Sequence, residues 1–460
     1  MKHYDTLVIG SGGGSKLVRP VANMGHKVAV IEKDRLGGTC LNHGCIPSKM
    51  LIHAADVASV IMDSYKFDIT IDGTLSVDFP ALMKRVNDTI NKDSNSIKPL
   101  YDNDPNVDLY QGEARFVDEN VVEVNGERLT ADRFFLATGA HPNIPDIPGL
   151  KDTPYITYYE ALKLRKQPEK MIVLGGGYIA VELGYFYGAL GTDVEFVVRS
   201  QMVRNEDRDV AREFEKVFSE RFPVHFGVTP EKVDYRNGMF SVALSDGKVL
   251  EGDCLFVATG VTPATSSLGL ENTSVSLDKK GFIVVDDGLK TTADNKWAFG
   301  DCIGRNLFRH SANFEGEYLF RTLYSNPTSE AIDYPPVPHA IFSNPQIGGV
   351  GKTEEELKEE GKEYVVGINP YKKSAMGMAL RSEHGFAKLL FDKNTKELLG
   401  AHIIGDEASN MVHMLIAFMY KKATLDDLLG MIYIHPALPE IVRNAARNAR
   451  SQFAKLTLAN

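Results

Sequence analysis

Cysteine and positive charge are both scarce in this chain, and each scarcity excludes a class of protein. Four cysteines among 460 residues are too few for the disulfide framework of a secreted domain. The formal net charge is -10, and binding nucleic acid requires clustered positive charge. We therefore expect no nucleic-acid partner. The length predicts about three domains.

The chain also lacks a long apolar run and a targeting segment. A membrane helix needs about 18 consecutive apolar residues, and the best stretch, around Met411 to Tyr420, is short and interrupted by His413. The residues from Met1 to Gly10 lead directly into a predicted strand without a signal-peptide core. These absences predict a soluble, cytoplasmic protein with no membrane partner.

The cysteines that are present are unevenly placed. Cys40 and Cys45 are separated by four residues, whereas Cys254 and Cys302 are single and far apart. Zinc would ask for a two-residue spacer and a second ligand pair, so we expect no metal. Lys49 and a helix N-terminus would both lower a thiol pKa. The segment therefore indicates a redox-active dithiol; the alternative is two unrelated buried thiols.

Pairing these two cysteines requires a local distortion of the chain. A disulfide needs Cα atoms within about 7 Å of each other, and positions five apart in a regular helix are slightly too far and face different ways. Gly44 and Pro47 are the residues that could supply the distortion.

A dinucleotide fingerprint precedes the dithiol. A strand over 6–9 leads into the loop Gly10 to Ser15, and a second strand over 28–32 ends in Glu32. Glycines allow the backbone to approach a pyrophosphate, and the acid holds a ribose hydroxyl. The third glycine is replaced by Ser15, and Pro20 predicts a kink or an early end of the helix.

A second copy of the fingerprint follows. A strand over 171–174 precedes the loop starting at Gly175, and a strand over 193–198 ends at Arg199 instead of an acid. Arg204 follows a few residues later. An arginine at this place accommodates a 2'-phosphate, which favours NADPH over NADH. The alternative is that both arginines are solvated surface charges.

Three further segments organise the rest of the chain. Ala137-Thr138-Gly139 and Ala258-Thr259-Gly260 each end an apolar strand and indicate returns from a nucleotide domain to a linker. Asp301 follows a strand and a tight glycine, where it can accept hydrogen bonds from a ribityl hydroxyl; the alternative is a helix cap.

The composition changes after the proline-rich stretch over 334–338, where mixed strands and helices carry no glycine fingerprint. We predict an α/β fold with two Rossmann-like dinucleotide-binding domains and a C-terminal α+β domain. The predicted boundaries are 1–149 for the first nucleotide domain, 150–270 for the second, 271–335 for a central segment completing the first, and 336–460 for the C-terminal domain.

Together, the segment Gly37 to Lys49, the two nucleotide loops, Trp297 to Asp301 and Ile434 to Glu440 resemble the pyridine nucleotide-disulfide oxidoreductases. That family includes lipoamide dehydrogenase, glutathione reductase, mycothione reductase and mercuric reductase. The resemblance covers essentially the whole chain. It implies that residues 1–149 and 271–335 form an FAD-binding domain, that 150–270 form an NAD(P)-binding domain, and that 336–460 form the interface or dimerisation domain of a homodimer with a shared active site.

The resemblance also implies roles for single residues. Cys45 would be the thiol beside the flavin and Cys40 the thiol that exchanges with a small disulfide or dithiol. His435 and Glu440 match an acid/base pair that serves the other subunit; a histidine beside a proline is otherwise more often a structural hydrogen-bonding group. Lys49 and Glu182 resemble the ion pair near flavin N5, and Tyr178 resembles the residue that gates the nicotinamide pocket.

The implied FAD-binding residues are Gly10, Gly12, Gly14, Glu32, Lys33, Gly38, Thr39, Lys49, Ala114, Thr138, Gly139, Asp301 and Ala312. The implied NAD(P)-binding residues are Gly175, Gly177, Tyr178, Ile179, Glu182, Arg199, Arg204 and Gly260.

Within the family, the sequence favours a dihydrolipoamide dehydrogenase-like enzyme. No C-terminal cysteine pair of the mercuric reductase kind is present, and Gly13 and Pro20 occupy the positions where glutathione reductases carry a serine and an arginine. A mycothione- or glutathione-type NADPH reductase is the alternative. A flavin redox sensor without turnover, and an NAD(P)H oxidase or transhydrogenase that leaves the thiols unused, remain open alternatives of other kinds.

Overall fold

The computed structural model describes residues 1–459. Its N-terminal region alternates strands with helices, and β1 and β2 are buried along most or all of their length because a parallel sheet is covered on both faces. Helix α1 ends two residues after Pro20, which removes a backbone donor and obstructs the preceding turn. The elements are β1 (Lys2–Ile9), α1 (Ser15–Ala22), β2 (Val28–Glu32), α2 (Gly38–Asn42), α3 (Cys45–Met62), α4 (Phe79–Asn95), α5 (Lys98–Asp102), β3 (Val107–Gln111), β4 (Arg115–Asp118), β5 (Val121–Val124) and β6 (Glu127–Leu136).

The second region builds a smaller parallel sheet. Its strands run in the order β10-β9-β8-β14, and a three-stranded antiparallel sheet, β11-β12-β13, lies beside it. The elements are β7 (Ala140–Pro142), α6 (Tyr158–Ala161), β8 (Lys170–Leu174), α7 (Tyr178–Ala189), β9 (Asp193–Val198), α8 (Arg208–Arg221), β10 (Val224–Phe226), β11 (Pro230–Arg236), β12 (Met239–Leu244), β13 (Val249–Gly252), β14 (Cys254–Val257) and β15 (Val261–Pro263).

The two Ala-Thr-Gly returns meet in space. The first return follows β6 and the second follows β14, and the next strands, β7 and β15, pair antiparallel with each other. The chain then returns to the first sheet, where β16 (Lys296–Ala298) pairs parallel with β6. The first sheet has the order β3-β2-β1-β6-β5-β4 with β16 beside β6. Helix α9 (Arg309–Phe320) packs against α1.

The C-terminal region is a separate antiparallel sheet of order β17-β18-β21-β20-β19, covered by helices α12 and α14. Its elements are β17 (His339–Ile341), β18 (Ile347–Gly351), α10 (Glu354–Glu359), β19 (Tyr364–Pro370), α11 (Ala375–Ala379), β20 (Phe386–Asp392), β21 (Leu398–Ile404), α12 (Ala408–Tyr420), α13 (Leu425–Gly430) and α14 (Pro439–Ala459). The predicted fold class is confirmed, whereas the domain boundaries remain a prediction.

One helical stretch, Gly38–Phe67, is long and apolar enough to cross a membrane by length and composition alone. The prediction that no stretch is long enough, with Met411 to Tyr420 as the best, was therefore wrong. A single such helix is weak support for a membrane span, because core helices of soluble proteins pass the same test. This one is broken at His43 and Gly44 and packs against α7.

Candidate functional site

The dithiol lies where two helices meet. Helix α2 ends at Asn42 and α3 begins at Cys45, so the chain turns sharply at Gly44, whose φ is -148° and ψ is -117°. A Cβ on Gly44 would stand 3.0 Å from the Thr39 carbonyl oxygen, so the turn is tight. Gly44 thus supplies the distortion. Pro47 does not, because it sits in the first turn of α3, where a missing N–H costs little.

The turn brings the two thiols together. Both cysteines are free thiols, and they hydrogen bond to each other. The hydrogen bond from Cys40, followed by the charge of Lys49, lowers the pKa of Cys45 to about 7 although burial opposes this. The same hydrogen bond and burial raise the pKa of Cys40. Near neutral pH the negative charge therefore resides on Cys45, at the N-terminus of α3.

An ion pair between a half-buried lysine and a buried glutamate stands beside Cys45. Lys49 Nζ lies 2.6 Å from Glu182 Oε2, and Nζ also lies 4.6 Å from the centre of the Phe342 ring. Glu182 Oε1 accepts a hydrogen bond of 2.9 Å from the Phe342 backbone N–H. These contacts hold the lysine charge near the thiolate. Tyr178, the first residue of α7, lines the same cleft, and burial raises its pKa to about 12.

The first glycine loop is shaped for close backbone approach. Gly10 has φ +102°, and a Cβ there would stand 2.2 Å from the Ala137 carbonyl oxygen. A Cβ on Gly14 would stand 2.1 Å from the Gly10 carbonyl oxygen. Ser15 is tolerated because the tight contact falls on Gly14, and its Oγ donates to the Gly12 carbonyl at 2.8 Å.

Two carboxylates border this loop. Glu32 accepts hydrogen bonds of 2.8 Å from both the backbone N–H and the hydroxyl of Ser11, and so ties the end of β2 to the loop. Asp301 lies across the cleft, and burial raises its pKa to about 6. Within residues 1–459 no hydrogen bond reaches the Asp301 carboxylate. A half-buried acceptor without a donor is suited to the hydroxyls of a ligand.

One continuous cleft gathers most of the predicted residues. Those that line it are Gly10, Gly12, Glu32, Lys33, Gly38, Thr39, Cys40, Cys45, Lys49, Ala114, Thr138, Gly139, Tyr178, Ile179, Glu182, Asp301 and Ala312. Gly14 lies in the loop behind it. Those outside its lining are Gly175, Gly177, Arg199, Arg204, Gly260, His435 and Glu440. Their assigned roles remain predictions.

The second glycine loop lies at the edge of the second sheet. A Cβ on Gly175 would stand 2.3 Å from the Ala258 carbonyl oxygen, which repeats the contact of the first loop, and Gly260 has φ +118°. The backbone N–H of Val203 donates to the Gly176 carbonyl at 2.8 Å, so the segment from Arg199 to Arg204 lies against this loop. Both arginines are exposed, and their guanidinium groups form no ion pair within the described chain.

The histidine dyad is formed, but apart from the cleft. His435 Nδ1 lies 2.9 Å from Glu440 Oε2, and Arg443 Nη2 lies 2.6 Å from Glu440 Oε1. Burial raises the pKa of Glu440, but hydrogen bonds from Ala437 and His435 and the Arg443 charge lower it overall. The His435 side chain is 71% exposed and the Glu440 side chain 4%. The imidazole is therefore oriented by a buried carboxylate and presented at the surface.

Sequence reasoning missed two cleft residues. Arg309 lines the cleft as the first residue of α9. His43 lies between the two cysteines, and one ring nitrogen is 2.8 Å from Asp34 Oδ2. The position of His43 between the cysteines could have identified it from the sequence. No sequence pattern could have identified Arg309, because its proximity to Gly12 depends on how α9 packs.

Comparison with known proteins matches residues 4–316 to the pyridine nucleotide-disulphide oxidoreductases and residues 337–446 to the dimerisation domain of the same group. Mercuric reductase of Bacillus cereus is 33% identical over 99% of this chain and 73% of its own length. Dihydrolipoyl dehydrogenase 3 of Haloarcula marismortui is 31% identical over 97% of both chains.

Two further proteins are similar over nearly their whole length. Mycothione reductase of Mycobacterium tuberculosis is 32% identical over 98% of this chain and 100% of its own. The solved structure of RclA from Escherichia coli, an HOCl-induced flavoprotein disulfide reductase, aligns with a TM-score of 0.87 and 28% identity, over 96% of this chain and 99% of that one.

Proposed function

The chain belongs to the pyridine nucleotide-disulphide oxidoreductase family, and from this premise we propose that it is a dihydrolipoamide dehydrogenase-like enzyme that uses NADP(H). Its electrons would pass between the nicotinamide, FAD, the Cys40 and Cys45 pair, and a small dithiol or disulfide. The observation that carries the proposal is the hydrogen-bonded pair of free thiols with the charge on Cys45. A mycothione-type NADPH reductase is the second substrate choice.

The cleft fits FAD. The close contacts of Gly10, Gly12 and Gly38 leave bare backbone where a pyrophosphate rests. Asp301 offers a half-buried carboxylate without a hydrogen-bond donor within residues 1–459, which suits hydroxyl groups. Lys49, Ala114, Thr138, Gly139 and Ala312 line the rest. When bound, FAD supplies two-electron transfer between nicotinamide and thiols.

The thiols divide the exchange chemistry between them. Cys40 keeps its proton until a base removes it; its thiolate then attacks one sulfur of the substrate disulfide and expels the other. The Cys45 thiolate next attacks the mixed disulfide at the Cys40 sulfur, forms the Cys40–Cys45 bond and releases the second substrate thiol. One disulfide is reduced and one is formed.

Proton transfer is assigned to the partner subunit's His435. Thiol exchange needs a base for Cys40 and an acid for the departing sulfur, and an imidazole serves both near neutral pH. Glu440 accepts from Nδ1 and leaves Nε2 facing outward. Ile432 and Ile434, next to this histidine, are among the most exposed apolar side chains. The match to the dimerisation domain supports a homodimer, and we propose a cytoplasmic location.

The decisive assay compares NADPH with NADH against lipoamide, mycothiol disulfide and glutathione disulfide. We expect sustained turnover with NADPH and lipoamide, and at least about 1000-fold loss in Cys40→Ser, because no other nucleophile replaces the thiol. The variant Cys254→Ser, at a buried cysteine that does not line the cleft, is the control and should keep full activity. Full activity in Cys40→Ser would support the oxidase alternative, and a single reduction without turnover would support the sensor.

A spectrum tests the assignment of Cys45 separately. The two-electron-reduced protein is expected to show long-wavelength absorbance from a thiolate next to the flavin. In Cys40→Ser, which has no disulfide to accept the two electrons, the same absorbance should appear while the flavin is still oxidised, and in Cys45→Ser it should be absent. A FAD-loaded protein without this absorbance would contradict the placement of Cys45 beside the flavin.

A second candidate function is the reduction of a thiophilic metal ion. Two adjacent free thiols, one of them ionised, are soft ligands. Mercuric reductases are among the relatives, and RclA has been solved as a Cu(II) complex. Adding Hg²⁺ or Cu²⁺ to the same NADPH assay distinguishes this function, which should also require both cysteines.

A further inference from the structure

We propose that Arg309 binds the diphosphate of FAD through its guanidinium group. The inference rests on the proposed function only in taking FAD as the bound cofactor. Arg309 is the first residue of α9 and lines the cleft together with the glycine loop. Its Nη1 lies 3.5 Å from the point where a Cβ on Gly12 would stand. The cation therefore reaches the second glycine of the fingerprint.

The guanidinium has no partner in the protein. Among the described residues, no hydrogen bond, ion pair or ring contact involves it. Arg305, four residues earlier, donates to the backbone carbonyls of Val285 and Asp286, and Arg443 donates to Glu440. A partly buried arginine without such contacts loses hydration without compensation. An anion in the cleft would supply the missing contacts.

Two acidic groups in the cleft feel the charge of Arg309 without pairing with it. Burial keeps the pKa of Asp301 raised to about 6 despite the nearby arginine. The hydrogen bond that Cys40 donates to Cys45, followed by burial, keeps the pKa of Cys40 raised, and Arg309 opposes this only weakly. Neither group neutralises the guanidinium. Its natural partner is a ligand held between these residues and the glycine loop.

The diphosphate fits this position by charge and by shape. The glycine loop and the N-terminus of α1 offer backbone donors and a partial positive charge, but no full charge. The two lysines that line the cleft are already paired, Lys33 with Glu113 and Lys49 with Glu182. The planar fork of an arginine matches phosphate oxygens bidentately. Arg309 would therefore supply the full charge at this end of the cleft.

Arg35 provides a matched control. It also lines the cleft and its guanidinium forms no ion pair within residues 1–459, but it follows Glu32 and Asp34, on the loop after β2. If any unpaired arginine in the cleft served equally well, Arg35→Gln and Arg309→Gln would behave alike. Of these two arginines, we expect only Arg309 to contact the diphosphate.

The test uses the full-length protein and measures binding instead of activity. In the first measurement the holoprotein is diluted, and the rate of FAD release is monitored through the recovery of flavin fluorescence. In the second, ADP or adenosine competes with FAD for rebinding, which gives the affinity of each. Arg309→Gln should release FAD at least about tenfold faster and lose at least about tenfold in ADP affinity, since charged hydrogen bonds are of that strength. Adenosine, which has no phosphate, should compete as in the wild type.

Two variants complete the test. Arg309→Lys keeps the charge but not the planar fork, so its FAD release rate and ADP affinity should lie between those of the wild type and Arg309→Gln. This variant also keeps the inference testable if Arg309→Gln does not fold. Arg35→Gln should keep the wild-type ratio of ADP to adenosine affinity. An unchanged ratio of ADP to adenosine affinity in both Arg309→Gln and Arg309→Lys would overturn the inference. So would variants in which only the alkylation rate of the thiols changes while FAD release and ADP affinity stay as in the wild type. If the wild type binds neither FAD nor ADP, the proposed function fails instead.

Discussion

The two glycine loops start from nearly the same sequence and end in different surroundings. At the first glycine they agree, because a Cβ on Gly10 or Gly175 would meet an alanine carbonyl oxygen at 2.2 or 2.3 Å. At the second glycine they differ. A Cβ on Gly12 would stand 3.3 Å from Gly38 Cα, whereas nothing lies within 4 Å of a Cβ on Gly177. The segment that carries the two cysteines therefore covers the first loop, and the second loop is open at Gly177.

This difference explains how one motif can serve two kinds of ligand. An enclosed loop lined by Glu32 and Asp301 is suited to a cofactor that stays bound. An open loop flanked by exposed arginines is suited to a nucleotide that exchanges during each turnover. Since the motif is shared, the distinction arises from what packs against it.

The largest effect is expected from a substitution at Gly38, which covers the first loop. Gly38→Ala places a Cβ against Gly12 and demands an L residue at φ +68°. We expect purified protein without FAD, measured by the ratio of absorbance at 450 and 280 nm. Gly177→Ala, the matched change at the open loop, should keep full FAD and raise the KM for NADPH, because the backbone approaches the pyrophosphate there. Equal loss of FAD in both variants would contradict the view that only the first loop is enclosed around FAD.

The second nucleotide site is probed by its arginines. Arg199→Gln and Arg204→Gln should each lower kcat/KM for NADPH by about tenfold, through loss of a charged contact to the 2'-phosphate. The values for NADH should stay unchanged, since NADH has no such phosphate. An equal fall with both nucleotides would indicate a general effect on the loop.

The charge next to the first site is tested through Cys45. Its hydrogen bond from Cys40 and then Lys49 lower its pKa to about 7, so its alkylation rate should rise as the pH increases through 7. Lys49→Met should move this midpoint upward by about one pH unit, because an opposite charge has been removed. Glu182→Gln should move it downward. The measurement is iodoacetamide labelling of the reduced protein, read by mass spectrometry.

The smallest effect is expected at the replaced third glycine. Ser15→Gly removes the bond from Ser15 Oγ to the Gly12 carbonyl but leaves Gly14, which forms the tight contact with Gly10. We expect a loss of about 1 kcal/mol in the free energy of unfolding and unchanged FAD content. Chemical denaturation measures it. A gain in FAD affinity would show that Ser15 disturbs the loop.

Much of this arrangement could be predicted from local sequence. The fold class could be predicted from strands and glycine loops that are each only a few residues long. The dithiol could be predicted from two cysteines separated by four residues. The early end of α1 followed from Pro20, whose effect is confined to one turn. Features of this kind depend on neighbours within a few residues, so that a single chain segment contains all the information needed.

Local sequence was sufficient to predict the two nucleotide folds, the thiol pair, and a histidine whose carboxylate partner is five residues away. Resemblance to a family was needed to pair Lys49 with Glu182, and only packing set which loop is enclosed and that Arg309 faces Gly12. These contacts join residues from different elements of the chain. Their formation depends on how whole sheets and helices pack, because burial and charge are shared across elements that no local pattern specifies.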